Sequence, residues 1–402
     1  MTNRYAVLVL IMAAQTVANI GPLGIPAIAS LIRADLGLSL TQAGSFISAY
    51  YVGSLIMSLP AGTMADRWGI LHTLVLGQIV IAAGLGAVSA SGSYTVLIVL
   101  MMFAGLGYGM LNPTSTKAVM AWSPPARRAT MVGFKQVGLP FGGALGAALL
   151  PIAAVTFGWR GAVALSAVVI AVMAVASWFL YRDPPELDTA RPASSRAAFG
   201  AVLVSRDLWL VALSTGVFAA MQTVWMAFLV LYLQEVVGVS LLTAGRYLAL
   251  AQVGGMTGRI GFGLLSDRLF EGKRRAPLAI AGCGSALCSL AIAGTGPGTS
   301  SGWLVALVIV FGFVGIGWNG VQHTLMAELA GPRSAGTAVG LGLAIASGGV
   351  TVGPPIFGWC VERAGGYAWP WVGLAAAMVL GLVMLARVME PRRGAFDVQR
   401  SA

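Results

Sequence analysis

The feature that most limits this chain is its succession of long apolar stretches separated by short polar turns. A helix rises about 1.5 Å per residue, so about 20 apolar residues cross the roughly 30 Å hydrocarbon core of a bilayer. Within lipid the backbone must satisfy its own hydrogen bonds, which runs of this length do as helices. The predicted spans are 5–30, 40–62, 71–90, 95–120, 130–157, 160–181, 207–236, 241–265, 276–296, 302–328, 335–361 and 367–388. The expected fold class is therefore an all-α membrane protein with twelve transmembrane helices. Charge agrees: 9% of residues are charged and 58% hydrophobic, where a soluble domain carries about 25% charge. The first run, from Tyr5 past Ile28, is too long for a signal-peptide core and reads as an uncleaved span.

One longer polar stretch, 182–206, lies midway. It divides the chain into an N-terminal six-helix bundle (1–181), a cytoplasmic linker (182–206) and a C-terminal six-helix bundle (207–402). With both termini in the cytoplasm, seventeen of the 24 basic residues fall on the inner side and three, Arg33, Arg160 and Arg363, on the outer. That is a strong positive-inside bias. It also accounts for the net charge of +11 without nucleic acid, because no basic domain or stacking platform gathers the charge. Lysines number three, Lys117, Lys135 and Lys273, against many arginines. This bias points to a bacterial source and hence a cell inner membrane. Cys283, Cys288 and Cys360 lie in apolar runs, where packing is their expected role.

The halves repeat each other. Gln15-Thr16-Val17 recurs as Gln222-Thr223-Val224, 207 positions later, and Asn112/Asn319, Thr130/Thr337 and Gly133/Gly340 keep that offset. Gly62-x-x-x-Asp66-Arg67 recurs as Gly263-x-x-x-Asp267-Arg268, offset by 201. Parallel repeats of six helices imply a pseudo-two-fold axis along the membrane normal and a solute site at mid-membrane between the bundles.

These residues carry a resemblance. Gly62-Thr-Met-Ala-Asp66-Arg67-Trp-Gly69 resembles the signature loop of the major facilitator superfamily, with Leu71-His72 in place of its closing basic pair. The second copy, Gly263 to Arg268, is followed by Lys273-Arg274-Arg275. The resemblance implies that Gly62, Asp66, Arg67, Gly263, Asp267 and Arg268 form inner-side latches, the carboxylates accepting from a helix N-terminus or an Arg. Glu328-x-x-x-Pro332-Arg333-x-x-Gly336-Thr337 is similar to the family's connection between spans ten and eleven. Met101 stands where drug exporters of the family carry an Arg, and their fifth-span signature is only partly matched by Gly138-Leu-Pro140-Phe-Gly142-Gly143. Arg259-x-x-x-Gly263 resembles the eighth-helix motif of monocarboxylate and oxalate:formate members, in which the Arg meets the substrate carboxylate. The eleventh-helix Lys of the oxalate type is absent, with Ser347 and Thr351 there instead.

Four basic residues, Lys117, Lys135, Arg246 and Arg259, fall within spans, and no acidic residue lies deep in any span. A charge at the centre of a spanning helix costs about 2.5–3.5 kcal/mol, so it normally faces an aqueous cavity or a partner. Counting along the helices places Arg259 about 12 Å from Asp267 and Lys135 about 10 Å from Arg128, both near mid-membrane. A solute with negative charge would neutralise them. The alternatives are a network joining Arg259 to the Asp267 loop, and bonding of Lys135 to backbone carbonyls. Lys117 reads as snorkelling to the interface, and Arg246 as pairing with Glu235. Gln15 with Asn19, Gln222 with Trp225, and Asn112, Asn319 and His323 give the inner helices a polar face, leaving spans three, six, nine and twelve to meet lipid.

The expected function is a secondary transporter of a small organic anion, with a carboxylate as the leading candidate. It would work by alternating access as anion exchange or proton symport, as a monomer in the lipid bilayer and without a cofactor. Its substrate-binding residues would be Lys135, Arg259, Gln15, Asn19, Asn112, Gln222, Asn319 and His323. Two alternatives stay open: efflux of a drug or neutral metabolite, and a non-transporting membrane sensor. No nucleophile–base pair, metal cluster or phosphate loop points to an enzyme.

Overall fold

The structure is a computed structural model that describes residues 4–123, 128–183, 200, 202–331 and 334–390. Most of the predicted linker and the Pro332-Arg333 turn lie outside the described residues. Among the described residues every regular element is helical. Helix α1 (Arg4–Gly24) passes through a 3₁₀ turn at Ile25–Ile28 into α2 (Ala29–Leu36). Then follow α3 (Leu40–Arg67), α4 (Ile70–Ser89), α5 (Tyr94–Trp122) and α6 (Arg128–Leu180). The second sequence half holds α7 (Arg206–Tyr232), α8 (Leu241–Leu264), α9 (Arg275–Ala293), α10 (Ser301–Phe311), α11 (Asn319–Ala330), α12 (Ala335–Ala364) and α13 (Ala368–Ala386). Wide π-helical turns extend α7, α8 and α10 at Leu233–Val237, Leu265–Leu269 and Gly312–Ile316.

By length and apolarity alone, nine segments qualify as membrane spans among the described residues. One of them, Met131–Leu180, contains two helical arms that meet at Gly158, whose φ of 70° suits glycine. The sequence breaks its fifth and sixth spans at the same place. Helices α3 and α8, of 28 and 24 residues, carry the charged Gly-x-x-x-Asp-Arg motifs at or just beyond their ends. The first span continues past residue 30 to Leu36, because the proline-containing turn bends the helix without ending it.

The sequence repeat extends to the helix caps. Ser39 caps α3 by accepting from the Gln42 amide, and Ser240, 201 positions on, caps α8 by accepting from Thr243. Thr16 and Thr223 each donate back to their own helix, to Met12 O at 2.9 Å and Ala219 O at 2.7 Å. Small residues allow the closest approaches. A side chain at Gly24 would meet the Gly146 backbone at 2.9 Å, which lets α1 lie against the first arm of α6. The helices of spans six, nine and twelve present apolar surface outward, with Val172, Val175, Phe179, Leu287, Val379 and Leu380 exposed.

The two ends of the bundle are tied differently. At the end holding Glu235, polar links join the sequence halves. Arg33 pairs with Glu235, which Tyr367 of the same half as Glu235 also holds at 2.8 Å, and the Thr41 amide and hydroxyl donate across to Glu362 at 3.0 and 2.8 Å. Toward the same end, Ser48 donates to Val350 O across α3 and α12 at 3.2 Å. The expected Arg246–Glu235 pair is therefore corrected: Arg246 is exposed, and Glu235 is taken by Arg33 and Tyr367 where the halves meet. At the opposite end, the latch residues make links inside one half. Asp66 pairs with Lys117, while Arg274 holds Asp267 at 2.5 Å and Glu328 at 3.1 Å. Lys117 thus has an acidic partner as well as a route to the interface. The N-terminus of α4 is served by Asp183, which accepts from the Leu71 amide at 3.1 Å, and not by Asp66, which still belongs to α3 and faces α5.

Candidate substrate site

The two cations expected at mid-membrane, Lys135 and Arg259, have different surroundings. Lys135, on the first arm of α6, has no accessible surface. Its ammonium donates to Asn112 Oδ1 at 2.6 Å, Asn112 O at 3.1 Å and Thr116 Oγ1 at 3.1 Å. An ammonium has three donors, and α5 takes all three. The proposed solute contact at Lys135 therefore has no free donor in this conformation, and bonding to backbone carbonyls accounts for one of its three acceptors, the other two being side chains of α5.

Arg259, on α8, is partly accessible. One terminal nitrogen donates to Gln136 O at 2.9 Å, across to the first arm of α6 in the other half. Its Nε has no hydrogen-bond partner, and a guanidinium offers five donors. The ion pairs among the described residues do not include it. The alternative network with the Asp267 loop is not formed, since Arg274 occupies Asp267. Tyr51, Tyr108 and His323 are its neighbours instead.

The uncharged residues divide in the same way. Gln222 and Asn319 are half-buried and meet through Asn319 Nδ2 and Gln222 Oε1 at 3.3 Å, with Asn319 also donating to Ile316 O. His323 lies one turn further along α11 and is half-buried. Asn112 is half-buried and engaged by Lys135. Gln15 has no accessible surface; its Oε1 accepts from Ser115 at 3.3 Å and its Nε2 is unpartnered. Asn19 donates to Gln15 O at 2.7 Å and packs where Gly142 lets α6 approach α1, so it sits in a helix interface and not on the accessible path. Trp225 stacks on Phe311 at 3.8 Å and donates to Ser289, which makes it packing.

The tyrosines escaped the sequence reading. Tyr50, Tyr51 and Tyr108 cluster in the first half, with Tyr51 and Tyr108 near Arg259. Their only sequence signal was a phenol hydroxyl placed mid-span, which also suits a packed aromatic ring. Among the described residues no cluster of His, Cys, Asp or Glu is placed to hold a metal.

A bundle of long apolar helices, with polar and cationic side chains at its middle and interlocked halves at one end, is the build of a membrane transport protein. The chain belongs to the Major Facilitator Superfamily, whose family model matches residues 7–349. It is 27% identical over 429 aligned positions to a probable sulfoacetate transporter of Cupriavidus necator, with 99% of this chain and 98% of that one covered. A hexuronate transporter of Bacillus subtilis is 32% identical over 165 residues, 41% of this chain and 39% of that protein. In fold it is similar to a bacterial homologue of the human lysosomal transporter Spinster in an inward-facing and occupied conformation, with a TM-score of 0.81, 20% identity, and 97% and 98% of the two chains covered. Family membership makes it a multi-pass membrane transport protein and not an enzyme.

Proposed function

We propose that the protein is a secondary transporter of small organic anions that works by alternating access between two six-helix bundles, 1–181 and 207–402, related by a pseudo-two-fold axis. In this reading α1 with α2, the two arms of α6, and α10 with α11 supply the spans that complete a set of twelve. The termini and the Asp66 end face the cytoplasm, and the membrane is a bacterial inner membrane. The protein acts as a monomer, by anion exchange or by symport of proton and anion.

The observation that carries the substrate class is Arg259: a cation deep in α8, partly accessible, with Nε unpartnered and no acidic partner among the described residues. A buried charge without a protein counter-ion is stabilised by one that arrives with the solute. Arg presents a planar fork suited to carboxylate or sulfonate oxygens. The names of two relatives, a probable sulfoacetate transporter and a hexuronate transporter, support an acidic solute. Gln222, Asn319 and His323 orient its polar body, and Asn112, polarised by Lys135, lines the same middle layer. The cross-half links at the Glu235 end, against latches confined to one half at the Asp66 end, support an inward-facing state.

The test is uptake of labelled organic acids into proteoliposomes. Wild type accumulates at least one small carboxylate or sulfonate, and Arg259→Ala does not, although it inserts and folds normally. Equal uptake by Arg259→Ala, or uptake of cations and neutral solutes alone, removes the anion reading.

A further inference from the structure

Helix α3 brings two adjacent tyrosines to the middle of the first half, and α5 brings a third. The rings of Tyr50 and Tyr108 lie 5.5 Å apart, those of Tyr50 and Tyr51 5.8 Å at 82°, and those of Tyr51 and Tyr108 6.2 Å at 86°. Edge-to-face contacts at these distances are favourable and directional. Tyr50 has no accessible surface and serves as the fixed member. The close approach that holds α5 there depends on Gly105, where a side chain would run into the Tyr50 carbonyl. Tyr51 is partly accessible and Tyr108 is 5% accessible, and the ring contacts brace both.

Arg259 reaches into this half from the other, donating to Gln136 O at 2.9 Å, and it lies near both Tyr51 and Tyr108. Gln15 lies beside Tyr108. Three donors here are buried without partners, Arg259 Nε, Gln15 Nε2 and the hydroxyl of Tyr50. Leaving a buried donor unpaired is costly, and such donors beside the Tyr51 and Tyr108 hydroxyls and a cation with no ion pair among the described residues make a donor set that lacks its acceptor. Each hydroxyl can also donate. What satisfies all of them is an oxyanion.

We propose that Tyr51 and Tyr108, together with Gln15, close with Arg259 into a clamp across the two halves that holds the anionic head group of the solute. The hydroxyls and the Gln15 amide donate to its oxygens from one half while the guanidinium neutralises it from the other. The clamp rests on the organic-anion reading and extends it: the ligand is a compact oxyanion, carboxylate or sulfonate, and its binding draws the halves together because neither half holds the full donor set. Preorganised donors of this kind work best when their own positions are locked by packing, which the Tyr50 contact supplies.

The experiment is calorimetric titration of the purified full-length protein with glucuronate and, separately, with sulfoacetate, so that the two arms distinguish a carboxylate with hydroxyls from a sulfonate. The variants are Tyr51→Phe, Tyr108→Phe and Arg259→Ala. Phe keeps each ring contact, so the unliganded melting temperature stays near that of wild type. A hydrogen bond to a charged group is strong enough that each Phe variant weakens Kd about tenfold or more. Arg259→Ala loses binding. Binding by both Phe variants within twofold of wild type, with Arg259→Ala still inactive, overturns the clamp and leaves the anion reading standing. Binding unchanged in Arg259→Ala, or no binding of either probe to wild type, overturns both. Should a Phe variant fail to fold, fluorine NMR of fluorotyrosine at positions 51 and 108 in the intact protein decides: both resonances shift at saturation, and two unshifted resonances overturn the clamp.

Discussion

Lys135 and Arg259 lie at the middle of opposite halves, and the structure gives them opposite roles. In the first half, Lys135 meets Asn112 and Thr116, which spend its whole donor capacity. The residues 207 positions on are Gly342, Asn319 and His323. The second half therefore keeps the Asn but has no cation at the matching position of α12, whose Arg363 lies in its last turn. The amide of Gln322 occupies that region, 3.1 Å from where a side chain at Gly342 would begin. Its cation comes from α8 instead, at Arg259, where the position 201 earlier holds Ser58, whose hydroxyl bonds its own helix at Ser54 O. A cation whose donors are all spent acts as internal structure, whereas one with donors to spare is a site for an anion.

The largest expected effect breaks this comparison directly. Arg259→Ala abolishes anion uptake in proteoliposomes, by about a hundredfold or more given the loss of a charged contact, while its melting temperature changes little. Arg259→Lys restores little of the rate, because a point charge does not reproduce the fork. Next comes Lys135→Ala. It strands Asn112 Oδ1 in a buried site, so a stability loss of about 1–3 kcal/mol is expected, read as a lowered melting temperature, with the Kd for the anion changed less than in the Arg259 variants. A Lys135→Ala protein that melts like wild type yet binds no anion would reverse the roles assigned to the two cations.

A smaller effect belongs to the end where the halves are joined. Glu235→Gln removes the Arg33 pair, whose side chains are 31% and 35% exposed. Screening limits such a pair to about 1 kcal/mol, so the conformational equilibrium moves by about fivefold. Labelling of cysteines placed near Thr41 and Tyr367 should rise accordingly, and unchanged labelling shows that Thr41–Glu362 alone keeps that end shut. The smallest expected change is Asp66→Asn. Asp66 has one exposed link to Lys117, while Asp267 shares Arg274 with Glu328. Asp267→Asn should therefore slow uptake more than Asp66→Asn, and equal slowing would mean the two latches are equivalent despite their different partners.

Much of the site was legible because charge in an apolar helix is conspicuous. Arg259 stood out for lacking an acidic neighbour in sequence, and Gln222 with Asn319 for their paired positions. Asn19 and Trp225 were misplaced for a different reason: polarity and helical spacing say that a residue is on a face, not which neighbour that face meets. Arg246 was assigned to Glu235 by proximity in sequence, but Arg33 arrives from the other half. The tyrosine cluster was overlooked because a ring that packs and a hydroxyl that donates are the same residue.

The sequence by itself determined the helical membrane architecture, its internal repeat and the break at Gly158, since hydrophobic length, glycine and fixed offsets act locally. Only the tertiary structure decided which cation keeps free donors, which residues join the halves at the Glu235 end, and that two of three clustered tyrosines lie near Arg259. Those outcomes depend on contacts between helices far apart in the chain, where desolvation and hydrogen-bond geometry, and not residue type, fix what a side chain has left to offer.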